Sequence, residues 1–335
     1  MHRSSFGFAI GGLALVALAG CSHDANRPPA PTGDAATADA ASDAPTDATG
    51  DQLAPGLDAQ MLPEAGPRCG GDFGLCDKVF SEVSFLGTHL SMATAAAWPV
   101  QTQGRATLDQ ILQGGVRVLE LEVHDDDGAL ALCEGSCSAQ SVSLVSTLTP
   151  LAGFLEQNPS DLLVLVLRSA VPASALAPAF DQAGLSSLAL AQELDKPWPK
   201  LADMVAKNER VVVLVDELAN DSPDGGLDAS APDPGVVPPY LLPLRDSAWE
   251  SAVSESTDCP IAHGSASLKL AILNHYVPGE AADDAGLIAA HTSDTVATRL
   301  ARCATDHGHA PNFMLVDFAE VGDPNGGVQL QNGTR

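Results

Sequence analysis

The stretch "VRVLELEVHDDDG" (residues 116–128) decides the fold class of this chain. A β-strand sends successive side chains to opposite faces, so this stretch places Glu120, Glu122 and His124 together on one face. Its apolar flanks, and further runs rich in Val, Leu and Ile without clean alternation, are typical of strands covered on both faces. These runs lie at residues 83–88, 128–133, 161–167, 211–216, 268–274 and 313–318.

Helical patterns separate the predicted strands. Periodic apolar residues indicate helices at 106–115, 149–160, 173–184, 201–209 and 293–308. Strands that alternate with helices over so long a region fit a (β/α) barrel better than a small open sheet. A doubly wound sheet is the alternative, although no Gly-rich phosphate loop follows the first strand. We therefore predict an α/β fold, a TIM-type barrel in a single domain.

The composition excludes one class of partner. The chain has 335 residues, is 45% hydrophobic and carries a net charge of −27, of which residues 68–335 hold −21. This charge repels phosphate backbones, so we expect no nucleic-acid binding, and it gives no help in docking on anionic lipid. The oligomeric state is not set by any feature of the sequence.

The N-terminal residues predict export and a membrane anchor. Arg3 precedes the apolar stretch "FGFAIGGLALVALAG", which is short for a bilayer span and is followed directly by Cys21. The ending "LAGC" resembles the bacterial lipobox, so we predict a lipoprotein signal peptide at 1–20 and a lipidated Cys21. An ordinary signal peptide or a lone membrane anchor is the alternative. The expected location is the bacterial cell envelope, at the outer membrane, the cell surface or the periplasm, with the anchor in the membrane.

Two segments have the composition of flexible chain. Residues 21–67 are rich in Ala, Asp, Pro and Thr, cannot form a core, and are predicted to be an acidic tether after the lipidated cysteine. Residues 220–239 have a similar composition and are predicted to be a solvated insertion. The predicted barrel domain is therefore 68–335 with this insertion.

Six cysteines remain when Cys21 is set apart. An even number of cysteines in an exported protein favours disulfides. Proximity suggests the pairs Cys69–Cys76 and Cys133–Cys137, which leaves Cys259–Cys303, although six cysteines allow fifteen pairings. A zinc site is the alternative, but no pair of cysteines has the spacing of a zinc knuckle.

One imidazole follows a predicted strand, and a carboxylate pair lies on the next. His89, in "EVSFLGTHLSMA" (82–93), stands where a barrel carries its catalytic groups, at the carboxyl end of a strand. Burying Glu120 and Glu122 without partners costs several kcal/mol each. A divalent cation between them would remove that cost, and calcium or magnesium suits carboxylate ligands. An edge strand with a solvated acidic face is the alternative.

An ordered set of stretches carries a family resemblance. They are "CDKVFSEVSFLGTHLSMA", "ILQGGVRVLELEVHDDDGALALCEG", "FLEQNPSDLLVLVLR", "WPKLADMVAKNERVVVLVDE", "LNHY" and "PNFMLVDFAEVGD". Together they resemble the phosphatidylinositol-specific phospholipase C (PI-PLC) X-domain superfamily, especially its secreted bacterial members, over about residues 69–330. The resemblance implies an irregular TIM-type barrel and a phosphoric diester hydrolase. Its substrate would be a phospholipid or a small phosphodiester, cleaved through attack by an inositol hydroxyl.

The resemblance also implies roles for single residues. His89 matches the first histidine, the general base, and Glu120 and Glu122 match the pair that holds Ca²⁺ in calcium-dependent members. Calcium is therefore the candidate cofactor. Three positions depart from the family pattern: Leu90 replaces an Asn or Asp, Glu134 stands in place of the second catalytic histidine, and Arg168 occupies the area of a further acid.

These departures leave three interpretations open. Glu134 acts as the general acid if burial raises the pKa of its carboxyl. Arg168 supplies the positive charge that a metal otherwise brings, or it forms a structural ion pair with Glu120 or Glu122. Alternatively the site has decayed and the barrel is a binding module, because the residues of a catalytic set act together.

Three more residues are candidates for substrate contact or for orienting other groups. His124 is a substitute acid, a ligand or a turn residue, and His275, at the end of another strand, contacts substrate or only packs. Asp317 orients an imidazole or caps the following turn. At the level of function, the alternatives are a surface lipoprotein that binds a ligand without turnover and a glycerophosphodiester phosphodiesterase-like enzyme. The latter family begins with His-Arg, whereas this chain has Gly-Thr-His.

Overall fold

The computed structural model describes residues 67–95, 98–217, 237–253, 258–276, 278–279 and 281–335. They all belong to one compact unit, Met61–Arg335. The predicted signal peptide (1–20), Cys21 and nearly all of the tether (21–67) lie outside the described residues, as does most of the predicted insertion (220–239). Lipid anchoring and the envelope location therefore stay predictions. No helix in the described part of the chain combines the length and the apolar character that a membrane span requires.

The main sheet has eleven strands. They are β1 (Phe85–Thr88), β2 (Val118–Asp126), β3 (Ala129–Leu132), β4 (Val142–Ser143), β5 (Leu163–Ser169), β6 (Val211–Glu217), β7 (Leu241–Pro243), β8 (Ala248–Ser251), β9 (Ile261–His263), β10 (Leu270–Asn274) and β11 (Phe313–Val316). A separate two-stranded hairpin joins Arg68–Cys69 to Asp72–Phe73. Every strand predicted from the sequence is present, so the α/β class is confirmed.

Helices connect most of these strands. They are α1 (Thr107–Gly114), α2 (Leu144–Gln157), α3 (Ala173–Ala183), α4 (Leu201–Lys207), α5 (Leu244–Ser247), α6 (Ala285–Ala290), α7 (Ser293–His307) and α8 (Pro324–Asn332), with 3₁₀ turns at Phe80–Glu82 and Ser186–Leu188. Local signals set their ends. In α7, the Thr292 hydroxyl accepts a hydrogen bond from the Thr295 amide, and Gly308 ends the helix at a φ of 84°. Glycine reaches this left-handed conformation without the clash that a Cβ would cause.

The strand order is that of a barrel with one side open. Hydrogen bonds link the strands in the order β9-β8-β10-β11-β1-β2-β5-β6-β7, and all pairs from β8 to β7 are parallel. Eight parallel strands thus follow one another in chain order, with β11 beside β1. In the described ladders, however, no pairing joins β7 to β8. The predicted closed barrel is therefore not confirmed. Only the four-residue α5 links β7 to β8, whereas two paired parallel strands need a connection of about a dozen residues or more.

Long-range ion pairing shows that the open sheet curls. Arg168 in β5 contacts Glu250 in β8 through both carboxylate oxygens. Five strand spacings separate β5 from β8 along the hydrogen-bonded path, which is roughly 24 Å on a flat sheet. An arginine side chain cannot reach that far, so the sheet bends until the two strands face each other.

The two faces of the sheet carry different layers. Outward residues of β2, β5 and β6, such as Leu119, Leu165 and Val213, pack with the helices. Inward residues, such as Val118 and Val166, form a second apolar cluster. This inward face becomes polar toward the carboxyl ends of the strands, where Glu120, Arg168 and Asp216 continue the same alternation. The polar residues are thereby brought to one end of the curled sheet.

Gly87 is required by close packing between strands. A Cβ at this position would lie 2.6 Å from Leu315 Cδ2 and 2.7 Å from Val118 Cβ. The strand that leads to His89 therefore passes closer to its neighbours than any larger residue would allow.

The three predicted disulfides are confirmed. Cys69–Cys76, Cys133–Cys137 and Cys259–Cys303 are all bonded. The first joins the start of the described chain to the segment before β1. The last joins the segment before β9 to α7. The second closes a small loop after β3, close to the polar end of the sheet.

Candidate active site

His89 is paired with Asp317 at the carboxyl ends of two adjacent strands. Thr88 and Val316 are direct partners in the β1–β11 ladder, so the residues that follow them lie side by side. His89 Nδ1 is 2.9 Å from Asp317 Oδ1. The Asp317 side chain is 3% exposed and that of His89 is 18% exposed, so the imidazole retains access to solvent while its partner does not.

The surroundings raise the pKa of His89. Burial by itself lowers this pKa, because it disfavours the charged imidazolium. The hydrogen bond to Asp317 and the negative charges of Glu120 and Asp317 outweigh burial, and Arg168 opposes them only in part. The net result is a pKa above the usual value of a histidine, so the protein stabilises His89 when it holds a proton.

The backbone around His89 is held from both sides. The His89 amide donates to the Val316 carbonyl at 3.0 Å, and its carbonyl accepts from Thr102 Oγ1 and Gln103 Nε2, each at 3.1 Å. Leu90 then takes a φ of 40°, which is uncommon for a residue with a branched side chain. Its side chain is buried in the helix-side core rather than placed beside the imidazole.

Tyr276 packs flat on the imidazole of His89. The ring centroids are 3.8 Å apart and the planes differ by 5°. Burial raises the pKa of the tyrosine hydroxyl. No role for Tyr276 was expected from the sequence. The available signal was its position two residues after the end of β10.

Arg168 binds three buried carboxylates at once. Its Nε donates to Glu120 Oε1 at 2.7 Å, its Nη1 donates to Asp216 Oδ2 at 2.8 Å and to Glu250 Oε2 at 3.1 Å, and its Nη2 donates to Glu250 Oε1. Arg245 Nε reaches the other oxygen of Asp216 at 2.9 Å. Burial lowers the pKa of Arg168, but the carboxylates raise it well above its usual value. Arg168 therefore forms the structural ion pair that was one of its two expected roles.

Glu250 was not expected from the sequence. It lies in β8, which is only four residues long and follows the interrupted stretch "LLPLRDS". Pro243 and two charged residues break the apolar pattern there, so neither β7 nor β8 was predicted. The remaining signal was one acid within a short apolar run.

Glu122 and His124 form a second carboxylate–imidazole pair. His124 Nε2 is 2.7 Å from Glu122 Oε1, and the Gly135 amide donates to the same oxygen at 2.8 Å. Their side chains are 16% and 17% exposed, respectively. Glu122 is thus engaged by an imidazole and a backbone amide. Arg168 is its partner in the β2–β5 ladder, but the guanidinium binds Glu120, Asp216 and Glu250.

Glu134 lies in the small loop closed by the Cys133–Cys137 disulfide. Its Oε2 accepts a hydrogen bond from the Val100 amide at 3.1 Å. This contact directs the carboxylate toward the segment that follows Trp98. The contacts of Glu134 and of His89 do not overlap.

The part of the chain that carries this site is similar to known proteins. Residues 75–226 match the PI-PLC X family model. The chain is 24% identical over 295 residues to "PI-PLC X domain-containing protein 1" of Arthroderma benhamiae, covering 79% of this chain and 89% of the relative. It is 25% identical over 276 residues to "PI-PLC X domain-containing protein At5g67130" of Arabidopsis thaliana, covering 75% and 61%. These two relatives are fungal and plant proteins, so the narrower resemblance to secreted bacterial members stays a prediction.

One comparison is with a solved structure. The phosphatidylinositol-specific phospholipase C of Staphylococcus aureus, as its F249X mutant, matches 76% of this chain and 93% of its own, with 12% identity and a TM-score of 0.46.

The region that matches the PI-PLC X family contains only some of the residues around His89. His89, Glu120 and Arg168 lie within residues 75–226. Tyr276 and Asp317, which touch His89, lie beyond its end. The site is therefore completed by strands outside the matched region.

The fit of the site to calcium is incomplete. Among the described residues, no three His, Cys, Asp or Glu side chains converge as metal ligands do. Glu120 Oε2 is buried and has no hydrogen-bond partner, so one oxygen remains for a cation. Calcium takes six to eight oxygens. Calcium at Glu120 and Glu122 therefore stays a prediction, and proton transfer by His89 does not require it.

His275 lies apart from the group around His89. It is 6% exposed, its Nδ1 contacts the Arg299 guanidinium, and its Nε2 is 3.2 Å from the Ala290 carbonyl. Burial and the charge of Arg299 lower its pKa to about 3. Both ring nitrogens are occupied inside the core between β10 and α7, which matches the packing role rather than substrate contact.

Asp317→Asn is expected to move the acid limb of the pH–rate profile to lower pH. In the predicted role of a general base His89 acts only when unprotonated, so its raised pKa places the limb above the ordinary histidine range. The substitution removes the charged hydrogen-bond partner of the imidazole and leaves only Glu120 to raise this pKa, so the pKa falls. The kcat/KM measured against pH checks this, and a limb that stays in place would show that Asp317 does not set the protonation of His89.

Proposed function

We propose that this chain cleaves a phosphodiester of a phospholipid or a related small molecule, with His89 as the general base. The observation that supports this most directly is the His89–Asp317 pair at the carboxyl end of a parallel sheet. A carboxylate on Nδ1 fixes the tautomer with its proton on that nitrogen and leaves Nε2 to accept a proton. The similarity to PI-PLC X proteins supplies the reaction class.

In the proposed reaction, a hydroxyl group attacks phosphorus while His89 Nε2 takes its proton. The imidazolium that forms is stabilised by Asp317, which the raised pKa of His89 reflects. Tyr276, stacked on the ring, holds the imidazole plane in one orientation. His89 thus has a partner for its charge and a support for its geometry.

Arg168 has a limited part in binding phosphate under this proposal. A guanidinium has five N–H donors, and Arg168 already makes four hydrogen bonds to Glu120, Asp216 and Glu250. Its single positive charge is outnumbered by the three carboxylates, so little of it is left for a phosphate. We assign it the role of holding the acidic side chains in position beside His89.

Ligand binding without turnover is the second candidate function. The buried Leu90 stands where the family has an Asn or Asp, and Glu134 stands where it has a histidine. A polar, partly exposed end of a sheet can retain a ligand after its chemistry is lost. The glycerophosphodiester phosphodiesterase-like activity is kept as a further alternative and is separated by substrate.

The test is an assay of the full chain on defined phosphodiesters. Release of inositol phosphate and diacylglycerol from phosphatidylinositol, and of glycerol phosphate from glycerophosphodiesters, is measured with calcium and with chelator. We expect turnover of phosphatidylinositol, and its loss in chelator would establish the calcium requirement. If the folded chain cleaves none of these diesters but binds inositol phosphate in calorimetry, the enzyme function is wrong and ligand binding without turnover is the supported function.

A further inference from the structure

We propose that His124, oriented by Glu122, is the general acid that protonates the leaving group. This proposal rests on the proposed phosphodiesterase function and names the second proton-transfer residue of the same site. Cleavage of a diester needs a group that accepts a proton from the nucleophile and one that donates a proton to the departing oxygen. Imidazole is the side chain most often used for both tasks.

His124 lies on the same face of β2 as the rest of the site. Residues 119, 121 and 123 of this strand are buried under the helices. By alternation, Glu120, Glu122 and His124 point to the opposite, inner face, and Glu120 confirms this direction because it contacts Arg168. The imidazole is therefore on the side of the sheet where His89 and Asp317 meet.

The ladder register sets the levels of the two imidazoles along the sheet. Thr88 pairs with Leu119, so His89 lies at the level of Glu120. Glu122, whose Oε1 holds the His124 ring, is two residues farther along β2, a rise of roughly 7 Å. The two imidazoles are therefore attached at successive levels of the same inner face, which is the placement that an acid and a base of one site require.

His124 has the same construction as His89. Each imidazole has one nitrogen on a carboxylate: Nδ1 of His89 on Asp317, and Nε2 of His124 on Glu122. The Gly135 amide also donates to Glu122 Oε1, which fixes that carboxylate in place. Within the described part of the chain, no hydrogen bond involves His124 Nδ1, so that nitrogen is available to transfer a proton.

Glu134 is less suited to this role. Its carboxylate accepts a hydrogen bond from Val100 and belongs to the loop that the Cys133–Cys137 disulfide closes. The Gly135 amide next to it binds Glu122, but among the described residues no hydrogen bond joins the Glu134 carboxylate to Glu122 or His124. The residue that the family pattern places at the acid position is thus directed elsewhere, while the Glu122–His124 pair lies on the inner face.

The proton balance of the step is complete. A head-group hydroxyl forms a bond to phosphorus and gives its proton to His89 Nε2. The bond from phosphorus to the lipid oxygen breaks, its electron pair stays on that oxygen, and His124 Nδ1 supplies the proton that makes the alcohol. Water then opens the cyclic phosphodiester: it gives a proton to His124, and His89 returns its proton to the ring oxygen. Both imidazoles end as they began.

Two esters that differ only in their leaving group test the assignment. The substrates are phosphatidylinositol and an inositol phosphate ester of nitrophenol, which departs without protonation. In the full chain, His124→Ala and His124→Gln are expected to lower kcat/KM for phosphatidylinositol by about 10²–10⁴-fold and for the nitrophenyl ester by about tenfold or less. His263→Ala, which removes an exposed histidine from the edge strand β9, is the control and is expected to change neither rate appreciably. Glu134→Gln is measured beside it as the rival candidate for the acid.

Each result has a defined meaning. Equal losses on both esters in the His124 variants would overturn the assignment while leaving the phosphodiesterase intact. A loss confined to phosphatidylinositol in Glu134→Gln, with the His124 variants unaffected, would make Glu134 the acid instead. Absence of turnover of both esters by the unmodified, folded chain would overturn the proposed function and this assignment with it. Circular dichroism and thermal unfolding confirm that each variant is folded.

Discussion

His89→Ala is expected to lower kcat/KM for phosphatidylinositol by about 10²–10⁴-fold. The imidazole is the proposed acceptor of the nucleophile's proton, and alanine offers no atom within reach to replace it. Asp317 cannot substitute, because its carboxylate is buried behind the position that the ring occupies. Unlike the His124 variants, His89→Ala should also lower kcat/KM for the nitrophenyl ester, because a good leaving group does not remove the need to activate the nucleophile.

The matched control for this variant is His263→Ala. His263 lies in β9 at the far edge of the sheet and is exposed. Its removal is expected to leave kcat/KM unchanged within a factor of about two, as for surface substitutions away from a site. Turnover by His89→Ala at the rate of the unmodified chain would show that another residue is the base.

Arg168→Met is expected to destabilise the fold by about 3–5 kcal/mol. The substitution leaves Glu120, Asp216 and Glu250 buried without their shared positive charge. All three side chains are less than a tenth exposed, so water cannot replace the guanidinium. Since a domain of this kind is stable by only about 5–15 kcal/mol, the loss threatens folding itself. Urea unfolding followed by circular dichroism measures it.

Arg302→Met provides the comparison on the surface. Arg302 pairs with Asp306 one helical turn away in α7, and its side chain is 56% exposed. An exposed pair of this kind contributes about 0.3–0.5 kcal/mol, so the midpoint of urea unfolding should hardly move. If Arg168→Met unfolded at the same urea concentration as Arg302→Met, the buried group would not depend on its arginine.

Local pattern was sufficient for much of the fold. Runs of Val, Leu and Ile placed seven of the eleven strands of the main sheet. Alternation in residues 116–128 placed Glu120, Glu122 and His124 on one face, which agrees with the contact of Glu120 with Arg168. These features depend on the two-residue period of a strand and on near neighbours in the chain. The same holds for Cys69–Cys76 and Cys133–Cys137, whose partners are close in sequence.

Contacts between distant strands were beyond the reach of that pattern. Asp317 meets His89 across 228 residues of chain because β11 pairs with β1. Glu250 meets Arg168 only because the sheet curls, and β8 itself was too short and too interrupted to be recognised. The His275 side chain points into the core, where it contacts Arg299 of α7. Its position at the end of a strand did not reveal this orientation.

The sequence alone therefore determines that this is an α/β protein, where seven of its strands lie, and which of its polar residues share a strand face, because each of these follows from local periodicity and burial. Which carboxylate pairs with His89, which ring packs on it, how Arg168 is neutralised and where the sheet stays open are settled by strand pairing and curvature. These depend on the free energy of the whole packed sheet, to which residues hundreds of positions apart contribute together.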